Sequence, residues 1–225
     1  MMITLVWGAL ITGLFGFAAI AYLVSTDATI CFDQTVMAFF VEQGQTPSPL
    51  GPAWVEEIFL ELTALGGGTV LTLVALLVLI GLLITKRRGA ALILLATLLS
   101  GTIVSHGLKL LFDRSRPDFM THLDRTFTAS FPSAHAMISM IFWLSIAAMI
   151  ARFIDHKMLR RFIYISAFFL AILIGLSRVY LGVHWPTDVI AGWFLGLAWA
   201  AFCWLLANWF ATDKKHKGSF GHSAP

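Results

Sequence analysis

Three short polar clusters interrupt an otherwise apolar chain. They are Lys109–Pro117, Pro132–His135 and Ser177–Asp188. Together they contain three cations, Lys109, Arg116 and Arg178, without an equal number of acidic side chains fixed beside them. Lysine and arginine form charge-assisted hydrogen bonds to phosphate oxygens, and arginine can do so through two parallel bonds. The three cations therefore predict a site for a phosphate group.

The second cluster begins a helix in a way that also suits an anion. Pro132 and Ser133 favour a helix start, with Ser133 as the N-cap. The backbone amides of Ala134 and His135 would then lie at a helix N-terminus. Amides at that position lack partners within the helix, and the helix dipole attracts negative charge. These amides are a second reason to expect a bound anion.

Two histidines could supply the chemistry at this site. His184 is followed four residues later by Asp188, whose carboxylate can accept a hydrogen bond from Nδ1 and leave Nε2 as a nucleophile. His135 has no carboxylate near it in sequence and suits a general acid that protonates the leaving oxygen. A covalent phosphohistidine would divide hydrolysis into two easier steps.

A metal site is the competing interpretation, because His135, His184 and Asp188 are all of metal-ligand type. The three neighbouring cations would repel a divalent ion. The sequence therefore favours an anion site that uses neither a metal nor another cofactor.

The composition limits the elements that can position these clusters. Of the 225 residues, 59% are hydrophobic and 12% are charged, and the mean hydropathy is +0.86. A soluble domain of this size could not hide so much apolar surface. The composition excludes a soluble enzyme, a disordered chain and a disulfide scaffold. It predicts an all-α protein that crosses a membrane several times.

Six apolar runs without Asp, Glu, Lys or Arg can form the spanning helices: residues 1–26, 62–85, 89–108, 126–151, 162–177 and 189–212. A spanning helix needs roughly 20 apolar residues, so the fifth run is expected to extend by a turn at either end. Helices are predicted because backbone groups in lipid must be bonded internally and the runs lack the alternation of barrel strands. The first run has no basic residue before its apolar stretch, which favours a retained helix over a signal peptide.

The basic residues predict the orientation of these helices. Ten of the fifteen lie in the segments 86–88, 152–161 and 214–217, which share one face if six helices span the membrane. Short basic loops stay in the cytoplasm. Both termini are therefore predicted to be cytoplasmic, in an inner membrane whose outer face carries the polar clusters. The net charge of +3 then reflects topology, and neither a nucleic-acid partner nor an obligate protein partner is expected.

Five basic residues depart from this pattern and lie on or near the outer face: Lys109, Arg114, Arg116, Arg125 and Arg178. Ionisable residues at membrane depth are functional candidates by default. Three of the five belong to the proposed phosphate site. Arg114 and Arg125 are interpreted instead as side chains that extend to the interface.

The segment Asp27–Glu61 is predicted to lie outside, since it has six acidic residues and no basic one. Within it, Ala53–Leu62 mixes apolar and acidic residues as a short interfacial helix does. Gly66–Gly68 is expected to break the helix before the second span.

His106 lies one turn before Lys109 and is interpreted as a polar residue of the helix core.

The chain shows no internal repeat and no second domain. Residues 1–225 are predicted to form one membrane-embedded domain, with a motif-bearing core at about residues 62–210 and a cytoplasmic tail at 213–225. Cys31 and Cys203 should lie at different depths, so no disulfide is expected.

The three clusters together resemble the signature of the type-2 phosphatidic acid phosphatases, which share a superfamily with the vanadium haloperoxidases. That signature is Lys-x6-Arg-Pro, Pro-Ser-x-His and Ser-Arg-x5-His-x3-Asp, and it occurs here in the same order. One position departs from it, because the family usually has glycine where this chain has Ala134. Alanine keeps the amide donor, so phosphate binding is expected to survive.

The resemblance implies a six-helix membrane fold and metal-independent hydrolysis of a phosphomonoester or a pyrophosphate. It implies that His184 is the nucleophile, Asp188 its partner and His135 the general acid. It also implies a set of phosphate ligands: Lys109, Arg116, Ser133, Arg178 and the amide of Ala134.

The predicted site lies at the boundary between lipid and water, so the expected substrate is a lipid phosphate whose tail stays in the bilayer. Six spans and an acidic outer segment resemble bacterial members of the family that act on undecaprenyl diphosphate or phosphatidylglycerol phosphate. Two alternatives remain open. One is a phosphotransferase that passes phosphate from a polyprenyl diphosphate to another lipid, and the other is a non-catalytic membrane protein.

Overall fold

The structure is a computed structural model that describes residues 2–42, 48–118 and 128–219. Within these ranges the chain forms eight helices and two short strands: α1 (Met2–Ser25), α2 (Ile30–Ala38), β1 (Val41–Glu42), β2 (Ser48–Pro49), α3 (Ala53–Ala64), α4 (Gly68–Ile84), α5 (Arg88–Phe112), α6 (Ala134–Ala151), α7 (Lys157–Tyr180) and α8 (Pro186–Ser219). The two strands pair antiparallel, with Val41 opposite Pro49.

The six predicted spans correspond to five long helices and one bent pair. In the described ranges α1, α5, α6, α7 and α8 are each long and apolar enough to cross a membrane. Helices α3 and α4 together make a sixth candidate span, with a bend of 44° between them. Helix α7 extends beyond the fifth apolar run at both ends, as expected. The predicted all-α, membrane-spanning fold is confirmed.

The outward faces of the helices are strongly apolar. Leu110 and Leu111 near the end of α5 are 86% and 75% exposed, and Ile84 at the end of α4 is 75% exposed. Large apolar surfaces of this kind are covered by lipid or by a partner rather than by water. The interior contains many small residues, such as Ala171 and Ala198, that let membrane helices approach closely.

Helices α6 and α8 pack along each other at the centre of the bundle, and α1 packs on the other side of α8. Gly192 of α8 lies against the first turn of α6. A Cβ atom added at Gly192 would come within 2.7 Å of the carbonyl oxygen of Ser133. Glycine at this position therefore allows the N-termini of α6 and α8 to lie side by side.

The bend between α3 and α4 falls at the predicted Gly66–Gly68 break. A Cβ atom at Gly66 would come within 2.3 Å of Ile174 Cγ2 and 2.6 Å of Ser139 Oγ. Any larger residue would push the connection away from α6 and α7. The glycine thus keeps α3 against the rest of the bundle.

Helix α3 is the short helix predicted for the outer segment, and it ends at Ala64 instead of Leu62. It packs on the end of α7, where the Phe59 ring stacks on Tyr180 with 4.0 Å between centroids. Helix α2 was not predicted. It forms in the same outer segment, where polar residues obscure its helical pattern.

Helix α8 continues to Ser219, into the predicted tail, because no proline or glycine interrupts residues 213–217. The expectation for His106 was wrong, since this residue is exposed on α5 and is not a core residue. Ser105 and Lys109, which are four positions apart, face the interior, so the residue after Ser105 is rotated outward. Cys31 and Cys203 are both free thiols, as expected.

Candidate active site

Four helix ends bring the three polar clusters to one end of the bundle. Lys109 lies in the last turn of α5, Ser133 caps α6, Arg178 lies in the last turn of α7, and His184 comes just before α8. The Ser133 amide donates to the carbonyl oxygen of Asp188 at 3.0 Å. This bond joins the second cluster to the third, so residues far apart in sequence share one site.

The turn between α7 and α8 directs His184 back toward Arg178. Gly182 has a φ of +71°, a left-handed conformation that glycine adopts without steric cost. The amides of Val183 and His184 then donate to the carbonyl oxygen of Arg178 at 3.1 and 3.3 Å. The sequence Ser-Arg-x5-His thus encodes a helix end, a glycine turn and a histidine held beside the arginine.

The contacts of His184 fix which ring nitrogen carries the hydrogen. Nδ1 lies 3.4 Å from Asp188 Oδ2 and 3.3 Å from Ser130 Oγ. The Ser130 hydroxyl donates its own hydrogen to Asp188, so both neighbours of Nδ1 act as acceptors and Nδ1 is protonated. Arg116 Nη1, which can only donate, lies 3.2 Å from Nε2. Nε2 therefore has the available lone pair and points toward the cations.

Asp188 is fully buried, and both of its carboxylate oxygens accept hydrogen bonds. Oδ1 accepts from Arg114 at 2.7 Å, and Oδ2 accepts from the Trp185 amide at 2.9 Å and from the Ser130 hydroxyl. Such pairing compensates the cost of removing a carboxylate from water. Ser130 was not among the predicted site residues, and its closeness to the second cluster was the only signal for it.

The interpretation of Arg114 as an interfacial side chain is wrong. Its side chain is only 15% exposed, and its two terminal nitrogens lie 2.7 Å from Asp188 Oδ1 and 2.7 Å from Asp33 Oδ2. Asp33, buried in α2, also accepts from the amide and hydroxyl of Thr187 at 3.0 and 2.7 Å. Two buried carboxylates hold the guanidinium inward because each would be unpaired without it. Asp33 was also not among the predicted site residues.

The three predicted phosphate-binding cations are anchored by neutral oxygens. Lys109 Nζ donates to the carbonyl oxygen of Ala129 at 2.5 Å, and Arg116 donates to two backbone carbonyl oxygens at 2.9 and 2.7 Å. Arg178 Nη1 donates to the Thr63 hydroxyl at 2.8 Å. These contacts orient the cations, and the charges of all three act on His184 as a positive field.

This field and burial act on His184 together. Burial is the larger cause, and the charges of Arg116, Arg178 and Lys109, followed by His135, add to it. They hold the pKa of the His184 imidazole well below its usual 6.5. The ring is therefore neutral near pH 7. Each of these four groups is close enough to act on the charge of His184.

The N-terminus of α6 lies at the same end of the bundle. The Ser133 hydroxyl accepts from the Ala136 amide at 3.5 Å, which is the predicted N-cap bond. Ala134 and His135 occupy the first turn, where amides have no acceptor within the helix. Both residues are half-buried. The local geometry is thus that of a helix N-terminus suited to an anion.

Metal-ligating side chains are not clustered in the part of the chain described here, where no group of three or more His, Cys, Asp or Glu could hold an ion. Arg125, which was interpreted as interfacial, lies outside the described residues.

The fold and the site define a class of protein. It is a multi-pass helical membrane protein whose cationic site, formed at the ends of several helices, surrounds a neutral, buried histidine. The chain belongs to the PAP2 superfamily, whose profile matches residues 90–211. That range contains all three polar clusters. The resemblance to the type-2 phosphatidic acid phosphatases is confirmed.

Two proteins are related to the chain in sequence. Phosphatidylglycerophosphatase B of Bacillus subtilis (strain 168) is 32% identical over 148 residues, which are 64% of this chain and 71% of that protein. The undecaprenyl-diphosphatase of Sulfolobus acidocaldarius is 42% identical over 73 residues, which are 32% of this chain and 31% of that protein.

Two solved structures are similar to the fold. One is the first transmembrane PAP2 type phosphatidylglycerolphosphate phosphatase from Bacillus subtilis, with a TM-score of 0.78 and 26% identity over 90% of this chain and 96% of the other. The second is Aquifex aeolicus LpxE, with a TM-score of 0.54 and 25% identity over 70% of this chain and 87% of the other. The first similarity extends over nearly the whole helical arrangement.

Proposed function

We propose that this membrane hydrolase of phosphate esters removes phosphate from a lipid head group through a phosphohistidine, at the outer face of the membrane. The observation that carries the proposal is the environment of His184. Its Nε2 has a lone pair and lies 3.2 Å from an arginine nitrogen, in a cluster of three cations. A nucleophile next to a binding site for negative charge is the arrangement that phosphate transfer requires.

The first step forms a P–N bond. Cations Lys109, Arg116 and Arg178 hold the phosphate oxygens, together with the first-turn amides of α6. Nε2 of His184 attacks phosphorus while the P–O bond to the leaving group breaks. His135 gives its proton to the leaving oxygen, which departs as an alcohol or as a lipid monophosphate.

The second step reverses the roles. Neutral His135 takes a proton from a water molecule as the water oxygen attacks phosphorus. The P–N bond then breaks, and inorganic phosphate and the neutral His184 imidazole are regenerated. Throughout both steps Asp188 accepts the Nδ1 hydrogen bond and stabilises the positive charge that develops on the ring.

A groove beside this site supports a lipid substrate. It has a volume of about 720 Å³ between the ends of α1 and α5, where Val24, Leu111 and Phe112 line it together with Arg114. A head group held at Lys109, near the end of α5, would have its tail beside the exposed Leu110 and Leu111 at the bundle surface. The sequence relatives are a phosphatidylglycerophosphatase and an undecaprenyl-diphosphatase, so we propose phosphatidylglycerol phosphate or undecaprenyl diphosphate as the substrate.

The distribution of basic residues supports the outer face as the location. The connections near Arg87 and Arg152 lie at the opposite end of the bundle from His184, because each joins the far ends of helices that reach the site. Short basic connections stay in the cytoplasm. We therefore propose that the site faces the outside of the inner membrane and that both termini are cytoplasmic.

The decisive experiment is an assay of the purified full-length chain in detergent. Both lipids and phosphatidic acid are supplied, released inorganic phosphate is measured, and lipid products are separated by thin-layer chromatography. We expect phosphate release that persists in EDTA, is inhibited by vanadate and is lost in His184→Ala. His106→Ala removes an exposed histidine from α5 and should retain activity.

Other outcomes would contradict the proposal. Transfer of labelled phosphate to a second lipid, without free phosphate, would indicate a phosphotransferase. Loss of activity in EDTA with recovery in Mg²⁺ or Zn²⁺ would contradict the metal-independent mechanism. No turnover of any phosphorylated lipid by a correctly folded chain would favour a non-catalytic protein.

A further inference from the structure

A second cleft lies at the opposite end of the bundle from the histidines. It has a volume of about 440 Å³, within the range of ligand sites in proteins, and residues of α1, α5, α6, α7 and α8 line it. Helix α6 separates the two sites, since it begins at Ala134 at the histidine end and first lines the cleft at Leu144. At 1.5 Å per residue this separation is about 15 Å. The cleft is therefore not part of the catalytic site.

The interior of the cleft suits an acyl chain. Its walls are mostly aliphatic, and small residues such as Ala9, Ala148 and Ala201, on three different helices, leave the space open. Trp204 and Leu197 of α8 form part of the same wall. Water would gain few hydrogen bonds there, whereas a hydrocarbon chain would cover apolar surface from five helices.

The rim of the cleft is cationic. Arg152, at the C-terminal end of α6, and Arg161, in the second turn of α7, both line it, together with Tyr164. Neither arginine forms an ion pair with a carboxylate in the described part of the chain. Arg152 also lies within electrostatic reach of the Tyr164 hydroxyl. Two guanidinium groups and a phenol thus surround the opening at the level where the spanning helices end.

We propose that this cleft binds an anionic glycerophospholipid of the leaflet opposite the catalytic site, with one acyl chain between the helices and the phosphate at Arg152 and Arg161. A neutral detergent or an apolar peptide would satisfy the interior and leave the two arginines unpaired, whereas an anionic lipid satisfies both. Basic pockets between membrane helices bind acidic head groups for this reason. The proposal does not depend on the catalytic function.

The test counts bound lipid on the purified full-length chain. The protein is titrated in mild detergent with dioleoylphosphatidylserine or dioleoylphosphatidylcholine, and retained lipid is measured by native mass spectrometry. We expect one phosphatidylserine to be retained per chain in preference to phosphatidylcholine. The double variant Arg152→Gln/Arg161→Gln should weaken that binding by roughly tenfold or more, since each cation near an anionic head group contributes about a factor of five.

A matched control separates this site from general surface charge. Arg88→Gln/Lys157→Gln removes two charges from the same end of the bundle, at residues that do not line the cleft. This double variant should bind phosphatidylserine as tightly as the unmodified chain does. An equal loss in both double variants, or equal retention of both lipids by the unmodified chain, would overturn the proposal.

Two further variants locate the lipid. Ala148→Phe fills the cleft from α6 and should prevent retention of phosphatidylserine, with an unchanged gel-filtration profile as the check on folding. Arg116→Gln removes a cation from the histidine site and should leave lipid retention unchanged. If Arg116→Gln abolished retention and the cleft variants did not, the lipid would occupy the histidine site, and the proposal would be wrong.

Discussion

Asp33 and Asp188 share the guanidinium group of Arg114, which lies 2.7 Å from one oxygen of each carboxylate. Through this arginine, α2 in the segment before the second span is connected to the carboxylate that lies 3.4 Å from Nδ1 of His184. Thr187 makes a second connection, because its amide and hydroxyl both donate to Asp33. The short helix α2 therefore supports the site from outside the three polar clusters.

The first prediction concerns Arg114. Arg114→Gln leaves two buried carboxylates without their shared cation, and breaking such a pair typically costs about 3–5 kcal/mol. We expect a lower thermal midpoint and a kcat reduced about 10- to 100-fold, with KM little changed because phosphate ligands remain. Thermal unfolding and steady-state kinetics on the same preparation measure both effects.

Further variants distinguish positioning from simple loss of stability. Arg114→Lys restores the charge but cannot bridge both carboxylates, so it should recover stability more than kcat. Asp33→Asn combined with Arg114→Gln should cost less than the sum of the single changes, because the partners act as one unit. Arg88→Gln, at the far end of the bundle, is the control. A kcat unaffected by Arg114→Gln in a folded protein would show that the bridge does not position Asp188.

The second prediction concerns the hydroxyl that links Asp188 to His184. Ser130→Ala removes a hydrogen bond to a carboxylate, which contributes about 1.5–3 kcal/mol. If that bond helps to orient the imidazole, kcat should fall by roughly 10- to 100-fold in the phosphate-release assay. Ser105→Ala is a matched control, since Ser105 is buried in α5 and its hydroxyl has no hydrogen-bond partner in the described structure. Equal kinetics for the two variants would argue against a role for Ser130.

Features that depend on local sequence were predictable. The N-cap at Ser133, the break at Gly66–Gly68 and the extension of α7 each follow from a few neighbouring residues and from the thickness of a bilayer. The position of the clusters at one end of the bundle follows from counting spans. These inferences require no knowledge of which helices touch.

Features that depend on tertiary contacts were not predictable in the same way. Asp33 and Thr187 are 154 positions apart, and no periodicity links them. A basic residue near a membrane surface usually reaches the interface, so Arg114 was assigned there, and only the packing of α2 beside α8 supplies its buried partner. His106 was misplaced for a similar reason, because the sequence does not reveal which face of α5 meets the bundle.

The third prediction separates the two histidines. His184→Asn should form no phosphoenzyme and lose nearly all turnover. His135→Asn should slow cleavage of a lipid substrate by about 10²- to 10⁴-fold, because the leaving oxygen is no longer protonated. A phosphoryl substrate with a very good leaving group needs no general acid, and it should restore the first step in His135→Asn but not in His184→Asn.

Labelling with a ³²P substrate followed by an alkaline quench measures the intermediate, since phosphohistidine survives base. In His135→Asn with the activated substrate, label should accumulate because the second step also lacks its base. Label that persists in His184→Asn would assign the nucleophile to another residue.

The fourth prediction follows from the lowered pKa of the His184 imidazole. Burial and the nearby cations disfavour the charged ring, so the folded protein should keep it neutral at pH 6.0, where an ordinary histidine is mostly protonated. The unfolded chain would bind that proton near pH 6.5. Protonation of His184 in the unfolded chain therefore lowers the free energy of unfolding as the pH falls below 6.5.

Nitrogen-15 NMR of the histidine side chains tests this directly. The His184 signals are assigned by their absence in His184→Asn, and their shifts at pH 6.0 should be those of a neutral ring with hydrogen on Nδ1. The pH dependence of the thermal midpoint should be shallower below pH 6.5 in His184→Asn than in the unmodified chain. A protonation midpoint at or above 6.5 would contradict both the burial and the cationic field.

The fifth prediction concerns which side of the membrane carries the site. Cys31 is exposed in α2, at the end of the bundle that contains His184, whereas Asp155 is exposed in the connection between α6 and α7 at the other end. If the basic connections are cytoplasmic, a membrane-impermeant maleimide added to intact spheroplasts should label Cys31 in a Cys203→Ala chain. Asp155→Cys, in a chain that lacks both native cysteines, should react only after permeabilisation. The inverse pattern would place His184 and His135 in the cytoplasm. The proposed reaction would then require a substrate in the inner leaflet, since the head group must reach the cationic site from the side on which it opens.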